Sequence, residues 1–168
     1  MGAQFSDEEI KRLRDLLEVD EIKKLGTLYS QLMDHHYLDA LVDLFTEDAI
    51  CEFGPRGTWH GRSEIRANYP KVWESNGGLE FASMHANSHH WVELTGPKSA
   101  VGRRYLLDVT TRRPTAEVPF ICFGLYDESY EKVTGAWKLA RVSLQYFWPE
   151  RQLTEGFPGQ FPPGRPPS

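Results

Sequence analysis

The chain has 168 residues, of which 40% are hydrophobic and 26% are charged, as in an ordinary single globular domain. Its formal net charge of −5 argues against a basic surface for nucleic acid or for anionic membranes. We find no signal-peptide pattern and no apolar run of about 18 residues, so we expect a cytoplasmic protein with no membrane partner.

The first half of the sequence has the periodicity of helices. The run SDEE (residues 6–9) is a capping box that opens one helix, and a second is predicted from about Asp20, with apolar residues three and four positions apart. YLDALVDLF predicts a third helix, and Ser63 is predicted to cap a fourth that runs to about Trp73. Between these helices, TEDAICEF predicts a strand that contains Cys51.

After Gly78 the pattern changes to that of long strands. GLEFASMHANSHHWVEL and AVGRRYLLDVTT flank the turn-rich TGPKS, and VPFICFGLYDESYEKV and GAWKLARVSLQYFW form a hairpin about Thr134-Gly135. Both Cys51 and Cys122 lie in apolar runs, which predicts buried reduced thiols. We predict an α+β domain over residues 1–150, with helices on one face of a mostly antiparallel sheet. The Pro/Gly-rich residues 151–168 are predicted to be a tail that is disordered or draped over the body.

Three histidines lie within the run SMHANSHHW. On a strand, four residues span about 13 Å, so His85 and His89 would share a face without reaching one ion, and His90 would point the other way. We therefore predict no metal site. Surface positions are the commonest explanation for any single histidine, but Ser83 and Asn87 share the predicted face of His85. Polar side chains on the inner face of a sheet need a partner or a function.

Several runs resemble a known family. EIKKLGTLYSQLMDHHYLDALVDLFTEDAICEF, followed by GTWHGRSEI, resembles the opening of SnoaL-like proteins of the nuclear-transport-factor-2-like superfamily. SMHANSHH, AVGRRYLLD and LYDESYEKVTGAWKL resemble the subgroup that contains bile-acid dehydratase, hexachlorocyclohexane dehydrochlorinase and scytalone dehydratase. The resemblance covers about residues 20–148. It implies a cone in which a curved mixed β-sheet, wrapped by N-terminal helices, encloses a deep apolar pocket.

The resemblance also implies a catalytic set of Tyr29, Asp34, His85 and Asp108. In those lyases an Asp orients a His that removes a proton, and a histidine beside a carboxylate suits this role. The residues themselves leave alternatives open. Tyr29 is equally compatible with a core position and Asp34 with a solvated charge at a helix end, while Asp108 could pair with Arg104 on the surface.

Substrate contacts are predicted at three further residues. If the strand face of Asp108 lines the pocket, Arg104 would bind an anionic or oxygenated substrate group. The aromatic content predicts an apolar pocket, to which we assign Phe53 and Tyr146. Arginines of two family members are replaced here by Tyr146 and, approximately, Lys132, which leaves substrate charge and leaving group open. The base of ketosteroid isomerase would fall on apolar Phe53, which disfavours that mechanism.

These observations predict a cofactor-independent lyase, a dehydratase or an enzyme of a related elimination that releases halide or formaldehyde. Its substrate would be an apolar, ring-bearing small molecule. One alternative is a cyclase or isomerase that uses the same proton transfers. Another is a non-catalytic ligand- or partner-binding subunit, such as the small subunit of a ring-hydroxylating dioxygenase. The resemblance implies a homodimer or homotrimer, for which an apolar outer sheet face would be the contact.

Overall fold

Helices precede the long strands along the chain. The computed structural model describes residues 5–111 and 118–159. Its elements are α1 (Asp7–Asp34), α2 (Leu38–Asp43), β1 (Phe45–Glu52), β2 (Thr58–His60), α3 (Gly61–Ser75), β3 (Ser83–Gly96), β4 (Ser99–Thr110), β5 (Phe120–Val133) and β6 (Ala136–Trp148), with a 3₁₀ turn at Gly54–Arg56. In this part of the chain, none of the helices combines the length and apolar composition needed to cross a bilayer.

The six strands form one curved, unclosed sheet in the order β2-β1-β6-β5-β4-β3. The β1–β6 pair is parallel, and the other neighbours are antiparallel. The predicted α+β class, with a curved mixed sheet and N-terminal helices, is confirmed. Both Cys51 and Cys122 are buried and form no disulfide.

The predicted capping box opens α1, because the Ser6 hydroxyl accepts from the Glu9 amide and the Glu9 carboxylate accepts from the Ser6 amide. The prediction of two separate helices is wrong, since α1 is continuous over 28 residues. No glycine or proline interrupts the chain near Asp20, so nothing forces a break. The buried residues of α1 all lie at or after Ile22, and this C-terminal half packs on the sheet.

Helix α3 begins earlier than predicted. Its N-cap is His60, whose backbone N–H donates to the Glu64 carboxylate over 2.7 Å, while Ser63 lies exposed within the first turn. The reason is that a Glu side chain can satisfy the first free amide when the cap residue itself offers no hydroxyl. The helix carries Tyr69 and Trp73 into the core on its buried face.

A bulge in β3 overturns part of the histidine prediction. The β3–β4 register shifts between Ser88 and Trp91, and His89 has a φ of 51°. Because the bulge adds a residue, the alternation of faces is inverted beyond it. His89 is exposed, and it is His90 whose ring nitrogen Nε2 lies 3.0 Å from the buried Tyr130 hydroxyl.

The described part of the tail lies across the outer face of the sheet. Gln152 forms a backbone bridge with Tyr146, and the Thr154 amide donates to the Gln145 side chain over 2.9 Å. Arg103 donates to the Pro158 carbonyl, and its guanidinium lies 5.0 Å from the centre of the Phe157 ring. Residues 160–168 lie outside the described part of the chain.

Candidate functional site

A cavity of about 270 Å³ opens between the inner face of the sheet and helices α1 and α3. This volume is close to the lower end of the range for small-molecule sites. It is lined by Tyr29, Met33, Phe53, Pro55, Arg56, Trp59, Tyr69, Val72, Asn76, His85, Leu106, Asp108, Phe120, Cys122, Tyr126, Leu144 and Tyr146. Five of the seven site residues predicted from the sequence are in this wall: Tyr29, Phe53, His85, Asp108 and Tyr146.

Asp34 and His85 form a buried pair at this wall. Nδ1 of His85 lies 2.6 Å from Oδ1 of Asp34, and the His85 backbone N–H donates to Oδ2 over 3.0 Å. The Ser83 hydroxyl donates to Oδ1 over 3.2 Å. A carboxylate can only accept, so Nδ1 of His85 is the donor in this pair, and in the neutral form of the ring Nε2 carries the lone pair. Asp34 therefore lies behind His85, at the last residue of α1, and is not a solvated helix-end charge.

A second contact holds β3 against α1 at the same level. The Asn87 side chain donates to the Ser30 hydroxyl and to the His85 backbone carbonyl, the latter over 3.1 Å. The predicted alternation of Ser83, His85 and Asn87 on one face is confirmed, because all three side chains meet polar groups of α1 or of their own strand. The strand on either side of His85 is thus tied to α1, through Ser83 and Asp34 on one side and through Asn87 and Ser30 on the other.

Asp108 stands directly opposite His85 in the register between β3 and β4. It lines the cavity, and its Oδ1 accepts from the Thr110 hydroxyl over 3.2 Å. The alternative of an Arg104–Asp108 surface pair is wrong, because the guanidinium of Arg104 is bound elsewhere. The cavity wall therefore holds a histidine and a carboxyl group on neighbouring strands.

Arg104 lies behind the cavity and not in it. Its side chain is 1% exposed, donates to both Glu128 carboxylate oxygens and binds the Gly26 carbonyl over 2.8 Å. Its guanidinium carbon lies 4.9 Å from the Tyr29 ring centre and 4.5 Å from that of Tyr126. Burial opposes the charged form, but Glu128 outweighs it and raises the Arg104 pKa. The prediction of Arg104 as a substrate contact is corrected accordingly: this cation supports two cavity-lining rings from behind.

Tyr69 is a cavity residue that the sequence did not reveal. Its hydroxyl lies 3.1 Å from that of Tyr29, and both side chains are buried. Burial raises the pKa of both phenols, so both stay protonated at neutral pH. Since one hydroxyl donates to the other, the pair keeps one proton that can be donated into the cavity. In the sequence, Tyr69 fits the apolar stripe of α3 with Ile65 and Val72, so nothing distinguished it from a core residue.

The cavity wall also contains polar groups at the end that is formed by the Gly54–Arg56 turn. Arg56 is exposed, and its guanidinium lies 3.5 Å from the Ser75 hydroxyl. The Tyr146 hydroxyl donates to the Phe53 carbonyl over 3.5 Å, and the pKa of Tyr146 is raised mainly by burial and lowered in part by the positive charge of Arg56. Burial likewise raises the pKa of the Cys122 thiol to about 11, so this side chain is a neutral wall and not a thiolate.

A buried network continues from Arg104 away from the cavity. The Tyr130 hydroxyl donates to Glu128 over 2.6 Å, so it must accept from Nε2–H of His90 at 3.0 Å. Burial lowers the pKa of His90 to about 4, so the ring is neutral in the folded protein at pH 7.

This neutral ring predicts a pH dependence of stability. Between pH 6.5 and 4 the unfolded chain takes up a proton that folded His90 resists, so the free energy of unfolding falls as pH falls. From pH 7 to pH 4, the free energy of unfolding of the wild type should fall by about 3 kcal/mol more than that of a His90→Gln variant. Urea unfolding of both proteins at each pH measures the difference. If the free energy of unfolding changed equally with pH in the two proteins, His90 would not be held neutral in the folded state.

Comparison with known proteins identifies the family. The SnoaL-like domain family matches residues 14–143, and the chain belongs to it. The family includes enzymes, and some members are non-catalytic. No curated protein sequence matches this chain. Among the residues that the structure describes, no three His, Cys, Asp or Glu side chains converge as they would to hold a metal ion.

Solved structures share the fold. A protein of Novosphingobium aromaticivorans DSM 12444, provisionally assigned as a scytalone dehydratase, is 25% identical, with a TM-score of 0.69 over 79% of this chain and 85% of that one. An NTF2-like protein with a cystatin-like fold from Novosphingobium aromaticivorans is 19% identical, with a TM-score of 0.69 over 89% and 94%. LinA is 16% identical, with a TM-score of 0.71 over 82% and 90%. The architecture is therefore the NTF2-like, cystatin-like fold.

Proposed function

We propose that the protein is a cofactor-independent lyase that eliminates water, or a related leaving group, from an apolar, ring-bearing small molecule. The observation that carries the proposal is the 2.6 Å contact between Asp34 and a His85 that lines the cavity. A neutral imidazole with a carboxylate on Nδ1 is the usual form of a histidine general base. The similarity to a provisionally assigned scytalone dehydratase supports the same reaction class.

The proposed reaction assigns one step to each group. Nε2 of His85 takes a proton from the carbon next to the one that bears the leaving group, and the C–H electrons form the new double bond. The C–O bond breaks, and the departing oxygen takes a proton that Asp108, on the strand opposite, passes on from solvent, so that it leaves as water. The proton on His85 is then released to solvent. Asp34 keeps the ring oriented and stabilises the imidazolium.

The Tyr29–Tyr69 pair would stabilise oxygen charge during the elimination. We expect Tyr29→Phe and Tyr69→Phe each to lower kcat by about tenfold to a thousandfold, with a smaller change in KM, because a hydrogen bond to developing charge acts mainly in the transition state. Steady-state kinetics measure both constants. Tyr105→Phe is the control, since Tyr105 is exposed on β4 and does not line the cavity. A loss confined to KM would contradict the assignment.

Arg56 replaces Arg104 as the candidate for binding an oxygenated or anionic substrate group. It is the arginine in the cavity lining that the structure describes, and it lies on the exposed Gly54–Arg56 turn. The aromatic walls around it, including Phe53 and Tyr146, fit a ring-bearing substrate.

A ligand screen with mass detection tests the proposal. Aromatic and polycyclic secondary alcohols, each with and without a carboxyl group, are ranked by the thermal shift that they produce. Stabilising compounds are then incubated with the enzyme. Loss of one water from such an alcohol supports the lyase. An isomer of unchanged mass would indicate the cyclase or isomerase alternative, and binding without conversion would indicate a non-catalytic binding protein.

A further inference from the structure

The N-terminal half of α1 is bound to the body of the protein at Glu18, whose carboxylate accepts from Lys132 and Trp137. No residue of α1 before Ile22 is buried, whereas the rest of the helix packs on the sheet. In this first half, Leu13, Leu16 and Leu17 are 45%, 64% and 67% exposed. A helical segment of about 15 residues with so little burial is marginal in water, so its exposed leucines suggest that another surface covers them.

The exposed leucines share one face of the helix. At about 100° per residue, Leu13, Leu16 and Leu17 fall within a sector of roughly 100°. Ile22 and Tyr29, which pack into the core, point to the other side. The same face of the helix continues toward the C-terminus through Asp20, Lys23 and Lys24, which are also exposed. It therefore forms one uninterrupted surface along the helix. We call this surface, formed by Glu9, Arg12, Leu13, Leu16, Leu17, Asp20 and Lys23, the α1 stripe.

The charges of the α1 stripe are complementary to those of a second α1 stripe that runs antiparallel to it. Glu9 and Lys23 lie symmetrically about Leu16, as do Arg12 and Asp20. An antiparallel copy centred on Leu16 would thus place each charge opposite one of the other sign. A parallel copy would oppose every charge to itself, which is destabilising. Of these four residues, Arg12 and Lys23 have no ion pair within the described chain, and Asp20 has only an exposed one, with Lys24.

We propose that the α1 stripe pairs with the α1 stripe of a second copy in an antiparallel, two-fold dimer whose axis passes beside Leu16. A two-fold interface must be self-complementary, and the stripe has this property in its four charges and at Leu16, which faces its own copy across the axis. This contact is separate from the outer sheet face, where Met84, Tyr105, Leu107 and Phe123 are exposed. It does not depend on the proposed enzymatic function.

Cross-linking tests the geometry of the pairing in the full-length chain. Leu16→Cys places two thiols beside the proposed axis, and a short bis-maleimide should join them into a covalent dimer. Leu28→Cys is the matched control, because Leu28 is also exposed on α1. In the antiparallel pair the two residues at position 28 would be about 36 Å apart and out of reach. The native chain, whose cysteines are buried, is the blank.

Charge reversal tests the complementarity. Arg12→Glu and Asp20→Lys should each weaken the dimer about tenfold, since the two-fold axis repeats every altered pair. The double variant restores opposite charges and should return to within about threefold of wild type. Sedimentation equilibrium gives the dissociation constants. The proposal is overturned if the wild type is a monomer, if position 28 cross-links as well as position 16, or if the double variant is as weak as the singles.

Discussion

Asp34→Asn and His85→Gln are each expected to lower kcat/KM by about 10²–10⁴-fold, the usual loss when a positioned general base is removed or misoriented. Because Asp34 acts through His85, the double variant should lose no more than the more damaging single variant. The 2.6 Å contact between Asp34 Oδ1 and His85 Nδ1 is the reason why we expect the two residues to act together. Steady-state kinetics of the three variants measure the coupling.

Ser83→Ala is the matched control for this double-mutant cycle of Asp34 and His85. It removes one of the three hydrogen bonds that Asp34 accepts and leaves the base in place, so the expected loss is at most about tenfold. If the two single losses multiplied in the double variant, Asp34 and His85 would be acting independently, and the pair would not be a general-base dyad.

The largest effect on stability is expected at the buried ion pair. Glu128→Gln leaves the guanidinium of Arg104 without its counter-charge and should lower the free energy of unfolding by about 3–5 kcal/mol. Removing both charges, in an Arg104→Met, Glu128→Leu variant, should cost less than the sum of the two single changes, because no uncompensated charge stays buried. Urea unfolding measures Glu128→Gln, the double variant and its two single changes, Arg104→Met and Glu128→Leu.

An exposed pair provides the comparison for this prediction. Lys11 and Asp15 form an ion pair over 2.7 Å on the surface of α1, and Asp15→Asn should change stability by at most about 0.5 kcal/mol. Equal effects of Glu128→Gln and Asp15→Asn would show that the Arg104 pair is not the buried support of the cavity wall. Because Arg104 also contacts the rings of Tyr29 and Tyr126, Glu128→Gln should lower kcat in protein that is still folded.

The sequence predicted those parts of the fold that depend on local periodicity. The apolar spacing of the helices and the alternation of Ser83, His85 and Asn87 are short-range patterns, and both appear in the structure. The resemblance to SnoaL-like proteins supplied the curved sheet and the pocket, which no local pattern encodes. It also named the residues of the Asp34–His85 pair, whose contact joins positions far apart in the chain.

What the sequence could not give depends on register and on long-range contacts. The bulge in β3 exchanges the faces of His89 and His90, and no residue type announces it. The partner of Arg104 is Glu128 because β4 and β5 bring these side chains together across the sheet, a pairing that the residues of β4 alone do not determine. Tyr69 enters the cavity only because α3 lies against Tyr29 of α1.

The most direct test of the central claim is a single-turnover reaction with enzyme in excess over a ligand that binds both wild type and His85→Gln. Excess enzyme removes product release from the measured rate. The claim that His85 is the base predicts that wild type converts the ligand to a product lighter by one leaving group, while His85→Gln binds it and leaves its mass unchanged. Conversion at the same rate by both proteins would contradict it.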